Sequence, residues 1–83
     1  MIVHSKLDPS TRVADHIGEM VLQERERLGL RQDEVALAAG VSTRVVHQIE
    51  NGKATSRLDS LIPVLDALGI ELEVRGQSPM AEA

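Results

Sequence analysis

The chain has 83 residues, no cysteine, no aromatic side chain and a net charge of −4. Such a length holds one small domain with a modest core, and the missing cysteines exclude a disulfide framework or a thiolate zinc site, as in a reducing cytosol. No apolar run approaches the roughly 20 residues that cross a bilayer, and no signal-peptide pattern opens the chain, so a soluble, cytoplasmic protein without a membrane partner is expected.

Residues 1–7 read as a short arm. Asp8 followed by Pro9 has the form of an N-cap with proline at the first helical position. Val13, Ile17, Met20, Val21 and Leu28 continue a helical stripe, so a first helix is predicted to run to about Leu28, with Gly29 ending it.

The most informative stretch is 32–51, QDEVALAAGVSTRVVHQIEN. Val35 and Ala39 lie one turn apart, Val41 follows a corner, and Val46 and Ile49 repeat at a spacing of three, so all five can converge on one core. Gly40 stands where the earlier helix must stop in a left-handed conformation. Ala36 permits close approach of two steeply crossed helices, and Ser42 offers a hydroxyl to the first turn of the later one. This pattern predicts a helix-turn-helix.

With Val46 and Ile49 facing inward, Ser42, Thr43, Arg44, His47 and Gln48 fall on the opposite side, weighted toward the helix start. A recognition helix in a major groove presents its N-terminal residues to base edges in this way. Arg44 suits a bidentate contact to guanine and Gln48 one to adenine, each worth about 1–3 kcal/mol of discrimination. Leu37 and Val45 fall outside the core pattern and read as surface residues.

Thr55 or Ser56 is predicted to open a fourth helix, with Ser56 and Asp59 at capping-box spacing and Leu58, Leu61, Ile62, Leu65 and Leu68 on its buried side. Gly69 closes it, and Pro63 predicts a bend because it removes a hydrogen bond. Ile70, Leu72 and Val74 then alternate with Glu71, Glu73 and Arg75, a period of two that reads as a strand over 70–75. A lone strand needs a partner. Antiparallel pairing with the same strand of a second subunit is favoured, because it buries Ile70, Leu72 and Val74 beneath two fourth helices. The alternative is a ribbon with residues 1–4 of the same chain. Residues 76–83, GQSPMAEA, read as a flexible tail, leaving 8–75 as the domain.

The negative net charge opposes DNA binding, but its distribution does not. Residues 42–57 carry Arg44, Lys53 and Arg57 against Glu50 alone, whereas 58–83 carry Arg75 against Asp59, Asp66, Glu71, Glu73 and Glu82. Lys53 and Arg57, with Arg31, are therefore the cations placed for phosphates. Their small number predicts modest nonspecific affinity and a shallow salt dependence.

The run LGLRQDEVALAAGVSTRVVHQIENGK, residues 28–53, resembles the helix-turn-helix of the phage Cro and repressor family, also called the Xre family. The LGL lead-in, Gln32, the Ala36 and Gly40 pair and the IENGK close carry the likeness. Extended through ATSRLDSLIPVLDALGIELEV, the chain is similar to HipB-like antitoxins and repressors with a C-terminal strand. This resemblance implies a mainly α, lambda-repressor-like bundle of four to five helices, with the short strand pairing between subunits. It implies phosphate contacts from Gln32 and Asn51, base contacts from Thr43, Arg44 and Gln48, and an ion pair between Arg25 and Glu50. It also implies a tail that engages a toxin, with Met80 as an anchor.

The expected function is that of a sequence-specific repressor of double-stranded DNA, dimeric on an inverted-repeat operator, and the autoregulating antitoxin of a toxin–antitoxin pair. The alternative is a protein-interaction module that keeps the fold without using its DNA face. No enzyme, cofactor or metal site is expected, since His4, His16 and His47 are far apart in sequence and no nucleophile or phosphate-loop pattern is present.

Overall fold

The computed structural model describes residues 8–76. The arm 1–7, with the alternative strand partner Met1, Ile2 and Val3, and Met80 of the tail lie outside them. Among the described residues there are four helices and no strand: α1 (Pro9–Arg27), α2 (Gln32–Ala39), α3 (Thr43–Glu50) and α4 (Leu58–Ala67). None is long and apolar enough to cross a membrane.

Local chemistry sets the helix limits. Asp8 is the N-cap of α1, its carboxylate accepting from the Thr11 N–H at 2.8 Å, with proline at the first helical position. At the end of α2, Gly40 adopts φ 73°, a left-handed conformation that a residue with a Cβ enters at a cost. This reversal lets the Val41 N–H donate to the Ala36 carbonyl at 3.0 Å and turns the chain into α3. Ser42 caps α3, its hydroxyl oxygen accepting from the Val45 N–H at 3.2 Å.

α3 touches all three other helices, and α2 also packs on α4. The core consists of Val21, Val35, Ala36, Val46, Ile49, Leu61, Val64, Leu65 and Leu68, with Ile17, Leu30, Ala39, Val41, Val45 and Ile70 packed partly buried against it. Ala36, whose small side chain suits close helix packing, is buried in α2. Val45, expected on the surface, is instead half-buried against this core, whereas Leu37 is 85% exposed.

Several expectations need correction. Val13, Met20 and Leu28 are exposed, because the inward stripe of α1 runs through Ile17, Gly18 and Val21. α4 starts at Leu58, with Arg57 as its N-cap. Ser56 forms no capping box with Asp59; its hydroxyl donates to the Lys53 carbonyl at 2.8 Å and closes the preceding turn. The buried side of α4 is Leu61, Val64, Leu65 and Leu68, a regular i, i+3, i+4, i+7 series, while Leu58 and Ile62 are exposed. Pro63 lies inside α4 without interrupting it. The hydrogen bond it cannot give is the one to the Asp59 carbonyl, one turn earlier.

Beyond α4 the Ile70 N–H donates to the Leu65 carbonyl at 2.9 Å. Residues 71–76 are exposed and form no strand in the single chain, where no described neighbour offers them a ladder. Leu72 and Val74 instead border an apolar groove of about 410 Å³ lined also by Val13, Ile17, Leu58 and Leu61.

Candidate nucleic-acid interface

α3 separates two roles along its length. Its N-terminal half carries Ser42, Thr43 and Arg44, all exposed, followed one turn later by exposed His47 and half-buried Gln48. Its C-terminal end is fastened to the rest of the molecule. Arg25 at the end of α1 donates from Nε to Glu50 Oε2 at 2.6 Å and from Nη2 to Glu50 Oε1 at 3.0 Å, a bidentate pair with side chains only 15% and 6% exposed. Arg25 Nη1 also donates to the Leu30 carbonyl at 2.9 Å, and Gln32 Nε2 donates to Glu50 Oε1 at 3.0 Å. The bond to Glu50, more than the partial burial that opposes it, holds the Arg25 guanidinium above its ordinary pKa.

Gly18 completes this anchorage. It is buried where α1 crosses the end of α3, and a Cβ placed there would lie 2.5 Å from the Ile49 carbonyl oxygen and 3.0 Å from that of Glu50. Only glycine permits this approach. Sequence reading missed it, although an isolated glycine inside a helical stripe is itself a signal of close packing.

The side chains expected at phosphates have present partners. Gln32 uses one amide N–H on Glu50, which leaves the second N–H of the same side chain for another acceptor. Asn51 Nδ2 donates to the His47 carbonyl at 2.8 Å and lies 3.3 Å from His47 Nε2, so it caps α3 and holds the imidazole beside it. Lys53 Nζ donates to Gln48 Oε1 at 3.4 Å. Gln48, Lys53 and Arg57 share a groove of about 210 Å³ with Val45, Thr55, Ser56 and Ser60.

Charge on this face is more masked than the sequence suggested. Arg57 is bound to Asp59 at 2.7 and 3.0 Å and Arg31 to Asp33 at 3.0 Å, all exposed. These hydrogen bonds raise both arginine pKa values and lower those of the two aspartates. Arg44 has no carboxylate partner among the described residues. The masking pairs were missed, though an Arg-x-Asp spacing occurs at both 31–33 and 57–59.

A buried hydrophobic corner, a left-handed glycine between α2 and α3, and an exposed polar helix start define a helix-turn-helix protein. The chain belongs to the helix-turn-helix family HTH_3, which it matches over residues 21–74. It is 38% identical over 58 residues to a protein of Sinorhizobium fredii named the uncharacterized HTH-type transcriptional regulator y4mF, a match covering 70% of this chain and 76% of that protein. Family and relative together support a DNA-binding transcription regulator.

Proposed function

We propose that this chain is a sequence-specific repressor that binds double-stranded DNA as a homodimer on an inverted repeat. The observation that carries the reading is the exposed start of α3, where Arg44 has no carboxylate partner among the described residues, held on a helix whose far end is locked by Arg25, Gln32 and Glu50. Arg44 reads a guanine. Gln48 reads an adenine once Lys53 leaves its side-chain oxygen for a phosphate. Ser42, Thr43 and His47 border these contacts, while Gln32, Asn51, Lys53, Arg31 and Arg57 hold the backbone.

Dimerisation is supported by what the single chain leaves uncovered. Val13, Met20, Leu58, Ile62, Leu72 and Val74 are exposed apolar residues, and the backbone of 71–76 has no hydrogen-bond partner among the described residues. Pairing residues 70–75 of two subunits covers both and sets half-sites about 34 Å apart, or a multiple of it. The finer antitoxin role, with a toxin held by residues 76–83, rests on the HipB-like resemblance; deleting that tail abolishes toxin capture and spares operator binding if it is right.

The test of the main reading is selection of duplexes from a random pool, followed by gel shifts with wild type, Arg44→Ala and Gln48→Ala. Each variant loses about 10- to 100-fold affinity for the selected site and relaxes the preference at one base position. Equal binding by all three proteins removes the recognition role and leaves a protein-interaction module.

A further inference from the structure

Arg31 and Arg57 hold the same position on two helices. Each is the N-cap residue, of α2 and of α4, and each reaches the aspartate two residues further on. Arg57 makes two bonds to Asp59, at 2.7 and 3.0 Å, and Arg31 Nε lies 3.0 Å from Asp33 Oδ1. Both pairs are well exposed, with side chains 58–79% accessible, unlike the enclosed Arg25–Glu50 clasp. Exposed pairs add little to folding, so stability does not account for finding the same device twice.

Their location suggests what does. Arg57 lines the groove that also holds Gln48 and Lys53. Arg31 precedes Gln32, whose amide meets Glu50 at the end of α3. Two of the four cations assigned to the DNA face are thus neutralised by a neighbouring carboxylate, and a neutral pair displaces no counterion from DNA. Each aspartate also sits in the first turn of its helix, where the helix dipole favours a negative group. A phosphate must displace the carboxylate to reach the arginine.

We propose that Asp33 and Asp59 set specificity by occupying Arg31 and Arg57 in the free protein, so that loose backbone binding is held down. The two arginines pass to phosphates only when base contacts have fixed α3 in register. This inference rests on the DNA-binding reading above and assigns the carboxylates a competing role within it.

The test is a salt titration of binding to a random-sequence duplex and to a selected one, followed by fluorescence anisotropy. For Asp33→Asn/Asp59→Asn, the slope of log affinity against log salt on the random duplex steepens by about 0.9 for each arginine freed. The preference for the selected duplex over the random one falls. Glu19→Gln/Asp66→Asn, which changes net charge equally at exposed positions outside the DNA face and the pairing segment, leaves the slope where it was. Adding Arg31→Gln/Arg57→Gln to the first variant abolishes the gain. Circular dichroism melts verify folding, and Asp33→Ser/Asp59→Ser replaces any variant that melts early, because serine keeps a helix-start acceptor without the charge. An unchanged slope, or an equal gain in the control variant, overturns the proposal while leaving DNA binding intact. Wild type that binds neither duplex removes the underlying reading and this inference with it.

Discussion

Replacing Arg25 by alanine strikes the point where three parts of the chain meet. The substitution deletes two hydrogen bonds to Glu50 and one to the Leu30 carbonyl, and it leaves a carboxylate that is 6% exposed with Gln32 as its remaining side-chain donor. Removing one partner of a buried pair costs about 3–5 kcal/mol, chiefly because the other charge stays desolvated. A chain of this size has a total stability of about 4–12 kcal/mol. The loss therefore takes up a large part of it, and at about 4–8 °C per kcal/mol the melting temperature falls by more than about 12 °C.

The same variant carries an internal check. Urea melts measure the loss, and Arg25→Met/Glu50→Leu, which removes both charges, should recover most of it. A cost below about 1 kcal/mol, typical of an exposed pair, would refute the argument.

Other expectations are simpler to state. Alanine in place of glycine within a helix ordinarily stabilises by up to about 1 kcal/mol; Gly18→Ala should instead destabilise by about 1–3 kcal/mol in chemical melts, because its Cβ meets the Ile49 and Glu50 carbonyls. Leu65→Ala, at a buried position, should cost about 2–5 kcal/mol, whereas Leu37→Ala, at an exposed one, should stay within about 0.5 kcal/mol. Asp8 has its pKa held below 3.8, first by the Thr11 backbone N–H that its carboxylate accepts from. A depressed folded value means that the cap's contribution is complete above 3.8 and is lost as pH falls through the lower value, so Asp8→Ala should flatten that acid limb of the stability profile.

What could be read in the sequence follows from how local each determinant is. The cap formed by Asp8 and Pro9, the corner at Gly40 and the inward Val35, Val46 and Ile49 are encoded within a few residues of themselves, and the structure has them there. The orientation of α4 was less legible. Leu58, Leu61, Ile62, Val64, Leu65 and Leu68 make a broad apolar arc, and periodicity gives the width of such an arc without saying which edge meets the core. The edge chosen from sequence contained Ile62 and Leu58; the packed edge contains Val64. Val13 and Met20 were misplaced on α1 for the same reason. Arg31–Asp33 and Arg57–Asp59 were hidden because side chains two residues apart diverge inside a helix and meet here only through the extended backbone of the N-cap, and the start of α4 was itself misjudged. The period-two pattern of 70–75 concerns a partner that one chain cannot supply.

The clasp on Glu50 gives the molecule a modular grammar. Within the eight residues of α3, the positions that would spell a sequence preference are 43, 44, 47 and 48, and those that weld the rod to its mount are 46, 49 and 50. The two sets share no member, so the reading edge can be rewritten without loosening the weld. A graft of a foreign edge onto this chain should inherit the donor's operator, provided Gly18, Arg25 and Gln32 keep their grip on the far end.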